Sequence, residues 1–414
     1  MKEKIFEFID HNASLAVELE TELCKRPAVS PDSGGEGELA KCEFLEGWLK
    51  KQGVTALERF DAPDSRAKGG VRPNLIATIP GEKDDRRLWI MAHLDVVPPG
   101  EMGLWESDPW TVVQKNDGPL GERLVGRGVE DNQQGLVSSV MAALALVRQN
   151  IKPARTVKLL FVADEEMGSL FGVGWLLEHH GDLFRKDDMA LVPDAGDKEG
   201  ASIEVAEKNL VWPRFVTKGL QGHGSRPDLG ANAFLAASEL AVRLHEELSQ
   251  KFSGHDPLFE PDYSTFQPTK KEANVPNINT IPGEDVFYMD MRILPRYPAA
   301  LVLAEVDRIK AEIEKKHRVS ISYTTAQRME SKPTAADSPL VKLLSAQIKE
   351  VYHVDAKPIG IGGGTVAAYL RNHGIDSAVW CRATGTGHQP NEYVLLADIL
   401  GDAKVMALLM TAER

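Results

Sequence analysis

Three adjacent carboxylates follow an apolar segment in the stretch FVADEEMGS, residues 161–169. They are Asp164, Glu165 and Glu166, and the residues before them, 157–162, are apolar apart from one lysine, which is typical of a buried strand. Adjacent acids at the mouth of a core repel one another and lose hydration, so they either turn into water or face positive charge. In the second case the stretch is a candidate for metal binding and proton transfer.

Histidines and further carboxylates recur at the ends of other segments. They are His93 and Asp95 in MAHLDVVPPG, Asp131 in GRGVEDNQQG, Asp194 in VPDAG and His388 in GTGHQPNE. Imidazole nitrogen and carboxylate oxygen are the ligands of catalytic zinc sites that keep a position open for water. The His-x-Asp spacing lets a nearby carboxylate accept the other ring N–H and orient the imidazole. Adjacent glutamates can divide two tasks, one binding metal and one transferring protons.

Each of these features alone has a simpler interpretation. A lone His-x-Asp is usually a surface pair, and acids after a strand usually form a solvated turn. The metal interpretation gains weight because all these segments end on one predicted face of the molecule. The order of the segments along the chain is a second argument.

The elements that must position these residues alternate in the first half of the chain. Strand patterns cover 87–97, 156–164 and 188–196, and a helix pattern that is apolar almost all round covers 135–149. Strands that alternate with helices and end in polar residues predict an α/β fold with a mostly parallel sheet. In such sheets ligands bind beyond the carboxyl ends of the strands, where these side chains lie.

From about residue 210 the pattern changes. Strand patterns at 210–219, 286–294 and 319–325 alternate with helix patterns at 234–252 and 299–317, followed by the linker-like stretch ESKPTAADSPL at 330–340. This order predicts a smaller α+β unit with helices on one face of a sheet. We therefore predict a catalytic α/β domain made of residues 1–209 and 330–414, with an inserted domain at 210–329.

Composition excludes several classes of protein. The chain has 414 residues, which predicts two domains, and its net charge of −13 with no basic stripe argues against nucleic-acid binding. The three cysteines form no Cys-x-x-Cys pair, which argues against a disulfide framework and a cysteine zinc site. The N-terminal pattern is an acidic amphipathic helix rather than a signal peptide, and no apolar stretch reaches the ~18 residues of a membrane span. We expect a cytoplasmic protein without a membrane partner.

In this order the motifs resemble those of the dinuclear zinc metallohydrolases and metallopeptidases that include acetylornithine deacetylase, succinyl-diaminopimelate desuccinylase, aminoacylase, carnosinase and carboxypeptidase G. The resemblance covers essentially the whole chain. It implies two divalent ions per chain, with zinc expected and cobalt or manganese as alternatives. The implied ligands are His93 and Asp194 for one ion, Glu166 and His388 for the other, and Asp131 as the bridge between them. Asp95 would orient His93, and Glu165 would be the general base for a metal-bridging water, so that the acids after the strand face positive charge.

Two positions depart from the pattern of that family. Gln133 stands where many members have a lysine, and Ala92 stands where many have a glycine before the histidine. Neither change removes a ligand. Glu130 is the competitor for the bridging role, and we favour Asp131 because it occupies the motif position and expect Glu130 to face solvent.

The inserted domain contributes further candidates. His223 in GLQGHGSRP is by itself a loop histidine without a function, but the resemblance implies a homodimer in which it enters the partner subunit's active site and stabilises the oxyanion. Asn279 and Arg292 are implied contacts of a substrate carboxylate, which a guanidinium fork matches, although Arg292 could equally be a surface residue at a strand end. The loop GIGGGTVAAYL, with Gly364 and Thr365, would lie beside the substrate, and it lacks the ending of a nucleotide-binding P-loop.

The function that follows is a metal-dependent amidohydrolase that cleaves a small-molecule N-acyl-amino acid or dipeptide next to a free carboxylate. A deacylase like acetylornithine deacetylase or succinyl-diaminopimelate desuccinylase is the first interpretation, and a carnosinase-like dipeptidase is the alternative. A catalytically inactive metal-binding homologue is a third, against which Glu165 argues, because a pure metal scaffold has no need of a second glutamate. The sequence leaves the acyl group and the amino acid open.

Overall fold

The structure is a computed structural model that describes residues 1–116, 118 and 121–413. The helices are α1 Lys2–His11, α2 Ala13–Cys24, α3 Leu39–Lys51, α4 Gly135–Arg148, α5 Val173–His179, α6 Ala233–Lys251, α7 Ala299–His317, α8 Pro339–Tyr352, α9 Ala367–His373 and α10 Leu396–Thr411. The strands are β1 Leu57–Pro63, β2 Val71–Ile79, β3 Lys83–His93, β4 Val113–Asn116, β5 Glu122–Val125, β6 Arg155–Val162, β7 Met189–Asp197, β8 Ser202–Glu207, β9 Asn209–Lys218, β10 Gly222–His223, β11 Thr265–Lys271, β12 Thr280–Ile281, β13 Glu284–Ile293, β14 Ser320–Met329, β15 Lys357–Ile361, β16 Asp376–Arg382 and β17 Tyr393–Leu395.

The chain divides into two compact units. The first consists of Met1–Val205, Thr334–Pro358 and Tyr369–Arg414, and the second consists of Ala206–Pro333 and Ile359–Ala368. The predicted division into a catalytic domain of residues 1–209 and 330–414 and an inserted lid or dimerisation domain of residues 210–329 stays a prediction.

The main sheet has eight strands in the order β1-β2-β6-β3-β7-β16-β8-β15. Its neighbouring strands β6, β3, β7 and β16 run parallel. Strand β2 is antiparallel to both β1 and β6, and β8 is antiparallel to β16. Strands β1, β6, β3, β7 and β16 therefore point the same way, and β2 and β8 point the opposite way. The predicted α/β fold with a mostly parallel sheet is confirmed. The carboxyl ends of the parallel strands meet at one edge, where the predicted ligands lie.

Helix α4 packs against this sheet and against α10. Every residue from Gly135 to Leu146 is buried, as its all-round apolar pattern predicts. The two serines in the helix have partners, because Ser138 donates to the carbonyl of Ile399 at 3.0 Å and Ser139 donates to that of Leu136 at 2.7 Å. Burial of each large aliphatic side chain contributes about 1.5–3 kcal/mol, so the helix holds the strands behind the site firmly in place.

The second unit contains a four-stranded antiparallel sheet in the order β11-β13-β9-β14. Helices α6 and α7 share one hydrophobic core with it, in which the rings of Phe215 and Phe287 stack at 4.8 Å. Strand β11 is absent from the sequence-based prediction, because its residues TFQPTKK are mostly polar and exposed and show no apolar alternation.

The N-terminal pattern read as one helix is two helices in the structure, α1 and α2. They are separated at Asn12, whose side-chain amide donates to the carbonyl of Phe8 at 2.7 Å. None of the helices among the described residues is both long and apolar enough to cross a bilayer. The cytoplasmic location stays a prediction.

Candidate metal centre

The edge of the main sheet brings together the five predicted metal ligands. His93 is the last residue of β3, and its neighbour on β6, Val162, lies just before the acidic turn. Two groups of side chains have ligand atoms within 4.8 Å of one another: His93 with Asp131 and Asp194, and Asp131 with Glu166 and His388. Asp131 belongs to both groups.

The two carboxylate oxygens of Asp131 face different histidines. Its Oδ1 lies 2.9 Å from Nε2 of His93, and its Oδ2 lies 3.0 Å from Nε2 of His388. Asp194 Oδ1 lies 3.5 Å from Nε2 of His93, and Glu166 Oε2 lies 3.0 Å from Nε2 of His388. Two imidazoles and three carboxylates are the donor types that hold zinc, cobalt or manganese, so the residues present fit a pair of divalent ions.

The carboxylates change the pKa values of the two histidines. Hydrogen bonds to Asp131 and Glu166 raise the pKa of His388 to about 10. Burial lowers the pKa of His93, but the charge of Asp194 and the hydrogen bond to Asp131 outweigh burial, so this pKa lies well above its usual value. Burial acts on Asp131 as well, yet its hydrogen bonds with both histidines lower its pKa. Carboxylates outnumber imidazoles here, which favours the binding of cations.

Asp95 holds the two glutamates and one of the histidines in place. Its buried carboxylate accepts the backbone N–H groups of Glu165 and Glu166, both at 3.0 Å. Its backbone oxygen lies 2.9 Å from Nδ1 of His93, and its Oδ1 lies 3.5 Å from the same nitrogen. The contact at Nδ1 fixes the ring and leaves Nε2 to point at the other carboxylates. Burial raises the pKa of Glu165 well above its usual value, an effect that suits a proton acceptor.

A model of Peptidase family M20/M25/M40 matches residues 89–412 of the chain. The chain belongs to this family. It is 38% identical to a metallohydrolase of Methanococcus maripaludis, over 94% of this chain and 97% of that protein. It is 27% identical to the succinyl-diaminopimelate desuccinylase of Nautilia profundicola, over 91% of this chain and 93% of that enzyme. The solved structure of the dipeptidase Dug1p from Saccharomyces cerevisiae shares the fold, with a TM-score of 0.73 at 15% identity over 99% of this chain and 98% of that one.

Membership in this peptidase family confirms the resemblance given by the motifs. It also confirms the predicted class of enzyme, a hydrolase that acts on peptide or amide bonds. The family implies divalent metal ions, for which the two groups around Asp131 are the candidates. The identity of the metal stays a prediction.

Asp164, the first acid of the DEE stretch, does not face the five metal-ligand candidates. Its Oδ1 lies 3.1 Å from Nη2 of Arg72, and its Oδ2 accepts the N–H of Phe171 at 3.1 Å. Arg72 is fully buried and also pairs with the buried Glu38, at 2.6 Å between Nε and Oε2. The expectation that the acids of this stretch share one positive environment is therefore wrong for Asp164, which a guanidinium neutralises.

Glu130 is buried, and the prediction that it faces solvent is wrong. It is 9% exposed, and its carboxylate accepts the backbone N–H groups of the four residues 384–387. The turn at 129–134 directs successive side chains apart, because the helical backbone is interrupted at Asp131, with φ −114° and ψ 95°, and at Asn132, with φ −127° and ψ 33°. Glu130 thus points to the loop before His388, while Asp131 points between the two histidines.

Gln133, at the position where the motif resemblance implies a lysine, lies beside a lysine from another helix. With its amide oriented to suit its neighbours, it accepts from Nζ of Lys41 at 3.2 Å and donates to Oε2 of Glu20 at 3.1 Å. Lys41 belongs to α3, and burial lowers its pKa to about 8. Lys41 is not among the residues predicted from the sequence, because a lysine in an amphipathic helix pattern gives no sign of burial.

The remaining predicted residues belong to the second unit. His223, in β10, is exposed, and its Nδ1 lies 2.8 Å from the hydroxyl of Ser225. It pairs with Thr280 of β12, and the N–H of Gly224 donates to the carbonyl of Asn279 at 2.7 Å. The structure therefore brings His223 and Asn279 together within this unit.

Arg292 lies near the end of β13 and has partners within the second unit. Its Nε and Nη2 donate to the carboxylate of Asp290 at 2.6 and 2.9 Å, and its Nη1 donates to the carbonyl of Gly362 at 2.7 Å. Its neighbour is therefore the glycine-rich loop that holds Gly364 and Thr365. A Cβ at Gly364 would lie 1.8 Å from Cε of Met329, so a larger residue at that position requires the end of the methionine side chain to move.

Proposed function

We propose that this chain is a two-metal amidohydrolase that cleaves the amide bond of an N-acyl-amino acid next to a free carboxylate. The observation that carries the proposal is the position of Asp131, with one oxygen facing each of two histidine-carboxylate groups. A carboxylate in this position would be shared by two closely spaced ions of a hydrolytic site.

The ligands would be divided between two ions. His93 and Asp194 would hold one ion, Glu166 and His388 the other, and Asp131 both. When bound, such ions polarise the scissile carbonyl and lower the pKa of water, and zinc is the metal we expect, with cobalt and manganese as alternatives.

Glu165 would be the proton carrier of the reaction. It takes a proton from the attacking water and delivers it to the leaving amine, the usual work of a general base that becomes a general acid. Two features support this role. The carboxylate of Asp95 accepts the backbone N–H of Glu165 at 3.0 Å, which fixes the backbone there. Burial raises the pKa of Glu165, so that this carboxylate accepts a proton readily.

The residues of the second unit would bind the substrate. Arg292 and Asn279 would contact its carboxylate, and the backbone at Gly364 and Thr365 would line the site. Asp290 already occupies two donors of Arg292, so a substrate carboxylate must displace this partner or share the guanidinium with it. That competition would make the subsite selective for ligands with a full negative charge.

His223 would donate a hydrogen bond to the developing oxyanion in the partner subunit of a homodimer. Its Nδ1 is engaged by Ser225, which leaves Nε2 as the available donor. The apolar side chains of Leu220 and Leu229, close to His223 along the chain, are 59% and 60% exposed, as expected for a surface that a second subunit covers.

A cavity of about 350 Å³ beside the metal-ligand candidates would take part of the substrate. Its lining includes Asp131, Asp194 and His388, together with the small residues Ala195, Gly196, Ala383, Gly385 and Gly387. This volume suits a small organic group rather than a protein chain. The likeness in fold to the dipeptidase Dug1p supports dipeptide hydrolysis as the second candidate function.

A hydrolysis screen tests the proposal. Protein reconstituted with zinc, cobalt or manganese is assayed on N-acetyl-amino acids, N-succinyl-amino acids and dipeptides, with Glu165→Gln as the matched control. We expect turnover of an N-acyl-amino acid that chelation and the control both abolish. Turnover of dipeptides alone would favour the second candidate, and no turnover of any of the three classes would reject both.

A further inference from the structure

Two loops of the first unit carry the ligand candidates Asp131 and His388. The Asp131 loop, residues 126–134, follows β5, and the His388 loop, residues 383–392, precedes β17. Strands β5 and β17 pair in antiparallel fashion, so the two loops extend from neighbouring points of one sheet. The strand pairing fixes only the bases of the loops. The distance between the two ligands therefore depends on contacts between the loops themselves.

Glu130 extends from the Asp131 loop to the backbone of the His388 loop. Its carboxylate accepts four consecutive N–H groups, including those of Gly385 at 2.8 Å and Gly387 at 2.7 Å. The hydroxyls of Thr384 and Thr386 donate to the same carboxylate at 2.7 and 2.8 Å. All four residues directly precede the histidine.

Glu392 extends in the opposite direction, from the His388 loop to the Asp131 loop. Its fully buried carboxylate accepts the N–H groups of Gly128 and Glu130 at 2.9 Å and that of Asp131 at 3.0 Å. It also pairs with the guanidinium of Arg127 at 2.6 Å. One side chain thus holds the backbone of the bridging ligand itself.

We propose that Glu130 and Glu392 are positioning residues that set the separation of Asp131 and His388, an inference that rests on the metal centre proposed above. Each glutamate belongs to one loop and binds the backbone of the other, so that each holds the ligand-bearing backbone that it contacts. The carboxylates hold the ligands through the backbone of the loops, and neither is itself one of the five ligand candidates.

The conformation of the His388 loop supports this role. His388 and Asn391 have φ values of 64° and 59°, in the left-handed region that residues other than glycine seldom adopt. Such residues persist only where surrounding contacts hold them. Asn391 is held by its side chain, which donates to the carbonyl of Leu104 at 2.9 Å and accepts the N–H of Glu106 at 2.8 Å. For the segment before His388, the contacts come from Glu130.

Replacement of each glutamate by glutamine removes this support with almost no change in side-chain volume. The glutamine side chain has one acceptor oxygen and an NH₂ group, which would face N–H donors and leave some of them without an acceptor. Loss of the charge weakens the remaining hydrogen bonds. The two variants differ in what they release, because Glu130→Gln frees the His388 loop and Glu392→Gln frees Asp131.

The experiment measures zinc binding by calorimetric titration of metal-free protein, with zinc content after dialysis as a second readout. The variants are Glu130→Gln and Glu392→Gln. The matched control is Asp188→Asn, a buried carboxylate that accepts the N–H groups of Arg87 at 2.9 Å and Arg185 at 3.1 Å, just before β7. Glu130→Gln should weaken one of two zinc sites about 10- to 100-fold, the usual effect of losing an outer partner of a ligand, and Glu392→Gln should weaken both.

The double variant Glu130→Gln/His388→Ala separates positioning from general destabilisation. If Glu130 acts through His388, the loss of affinity caused by Glu130→Gln disappears when His388 is already absent. A purely structural role would lower the thermal midpoint of the metal-free protein in all three single variants and leave both zinc affinities unchanged, which would overturn the proposal. Should the glutamine variants fail to fold, Glu130→Asp and Glu392→Asp keep the charge but shorten the reach, and the same site-selective weakening is expected.

The wild-type titration distinguishes the two levels of inference. Wild-type protein that binds fewer than two zinc ions contradicts the metal centre and the positioning role together. Two wild-type sites with unchanged affinities in both glutamine variants contradict the positioning role alone. An equal loss in Asp188→Asn would also contradict it, because this residue has the same chemistry but no contact with either loop.

Discussion

Asp131 lies between His93 and His388, with Oδ1 at 2.9 Å from Nε2 of the first and Oδ2 at 3.0 Å from Nε2 of the second. A single carboxylate thus connects a residue at the end of β3 with one in a loop near the C-terminus of the chain. The lowered pKa of Asp131, which its hydrogen bonds with both histidines produce against the effect of burial, keeps it ionised and ready to bind cations.

Loss of the shared ligand should affect both metal sites. We expect wild-type protein prepared without chelator to hold about two divalent ions per chain, and Asp131→Ala to lose affinity for both. His388→Ala should weaken mainly one ion, because this side chain belongs to only one of the two groups. Metal analysis after dialysis measures both effects. Full occupancy of two sites in Asp131→Ala would refute the bridging role.

Glu165→Gln should retain both metal ions and substrate affinity but lose turnover. The amide cannot accept the proton of water, and general bases contribute roughly 10²–10⁴-fold to rates. Steady-state kinetics and metal content are measured on the same preparation. If the variant keeps near-wild-type kcat, the proton is transferred by another group.

Arg292→Ala should depress kcat/KM for free-acid substrates far more than for their methyl esters, because only the acid forms a charge-assisted pair with the guanidinium. The matched control is Arg214→Ala, an arginine of β9 in the same unit, whose Nε lies 3.2 Å from Glu272. This control should leave the ratio between acid and ester unchanged. Equal losses on both kinds of substrate in Arg292→Ala would indicate a role in folding, through its contact with Asp290.

His223→Ala should keep both ions and lose most of its turnover, while His255→Ala, an exposed histidine of the same unit paired with Asp262 at 2.9 Å, should remain active. Mixing His223→Ala with Glu165→Gln then tests for a homodimer with shared sites. If His223 acts in the partner subunit, each mixed dimer has one intact site, and activity returns after subunit exchange. If it acts in its own chain, every site stays defective. A fully active monomer would also contradict the shared site.

Metal affinity should rise with pH up to about 10. In the metal-free protein His388 is protonated at neutral pH, because hydrogen bonds with Asp131 and Glu166 raise its pKa to about 10. An ion can bind only the neutral ring, so binding must release this proton. Calorimetry in buffers of different ionisation enthalpy counts the protons released at pH 7, and His388→Ala should release fewer. Release that is equal in the two proteins would contradict this assignment.

The stability of the metal-free protein should have the opposite pH dependence. A histidine whose pKa is raised by folding, from 6.5 to about 10 for His388, stabilises the folded state fully below 6.5, and this contribution disappears as pH rises through 10. We therefore expect the thermal midpoint of metal-free protein to fall between these pH values, and to fall less in His388→Ala.

Local sequence patterns predicted the elements that carry the ligand candidates, while the order of the motifs along the chain selected the candidates themselves. His93, Glu166 and Asp194 follow apolar segments whose periodicity predicts strands of a parallel sheet, and parallel strands bring their carboxyl ends to one edge. Helix α4 was predicted over 135–149 because apolar residues lie on almost every side of the helix pattern. In the structure the helix ends at Arg148. These inferences need only the neighbours of each residue along the chain.

The tertiary structure decided which buried acids face which partners. Glu130 binds a loop more than 250 positions away, Glu392 returns the contact, and Asp164 turns to Arg72 rather than to the ligands. Such contacts depend on the φ and ψ angles of single turn residues and on backbone N–H groups, which every residue except proline possesses. No residue type marks those partners in the sequence. The direction of a charged side chain in a turn is therefore determined only once distant segments have packed around it.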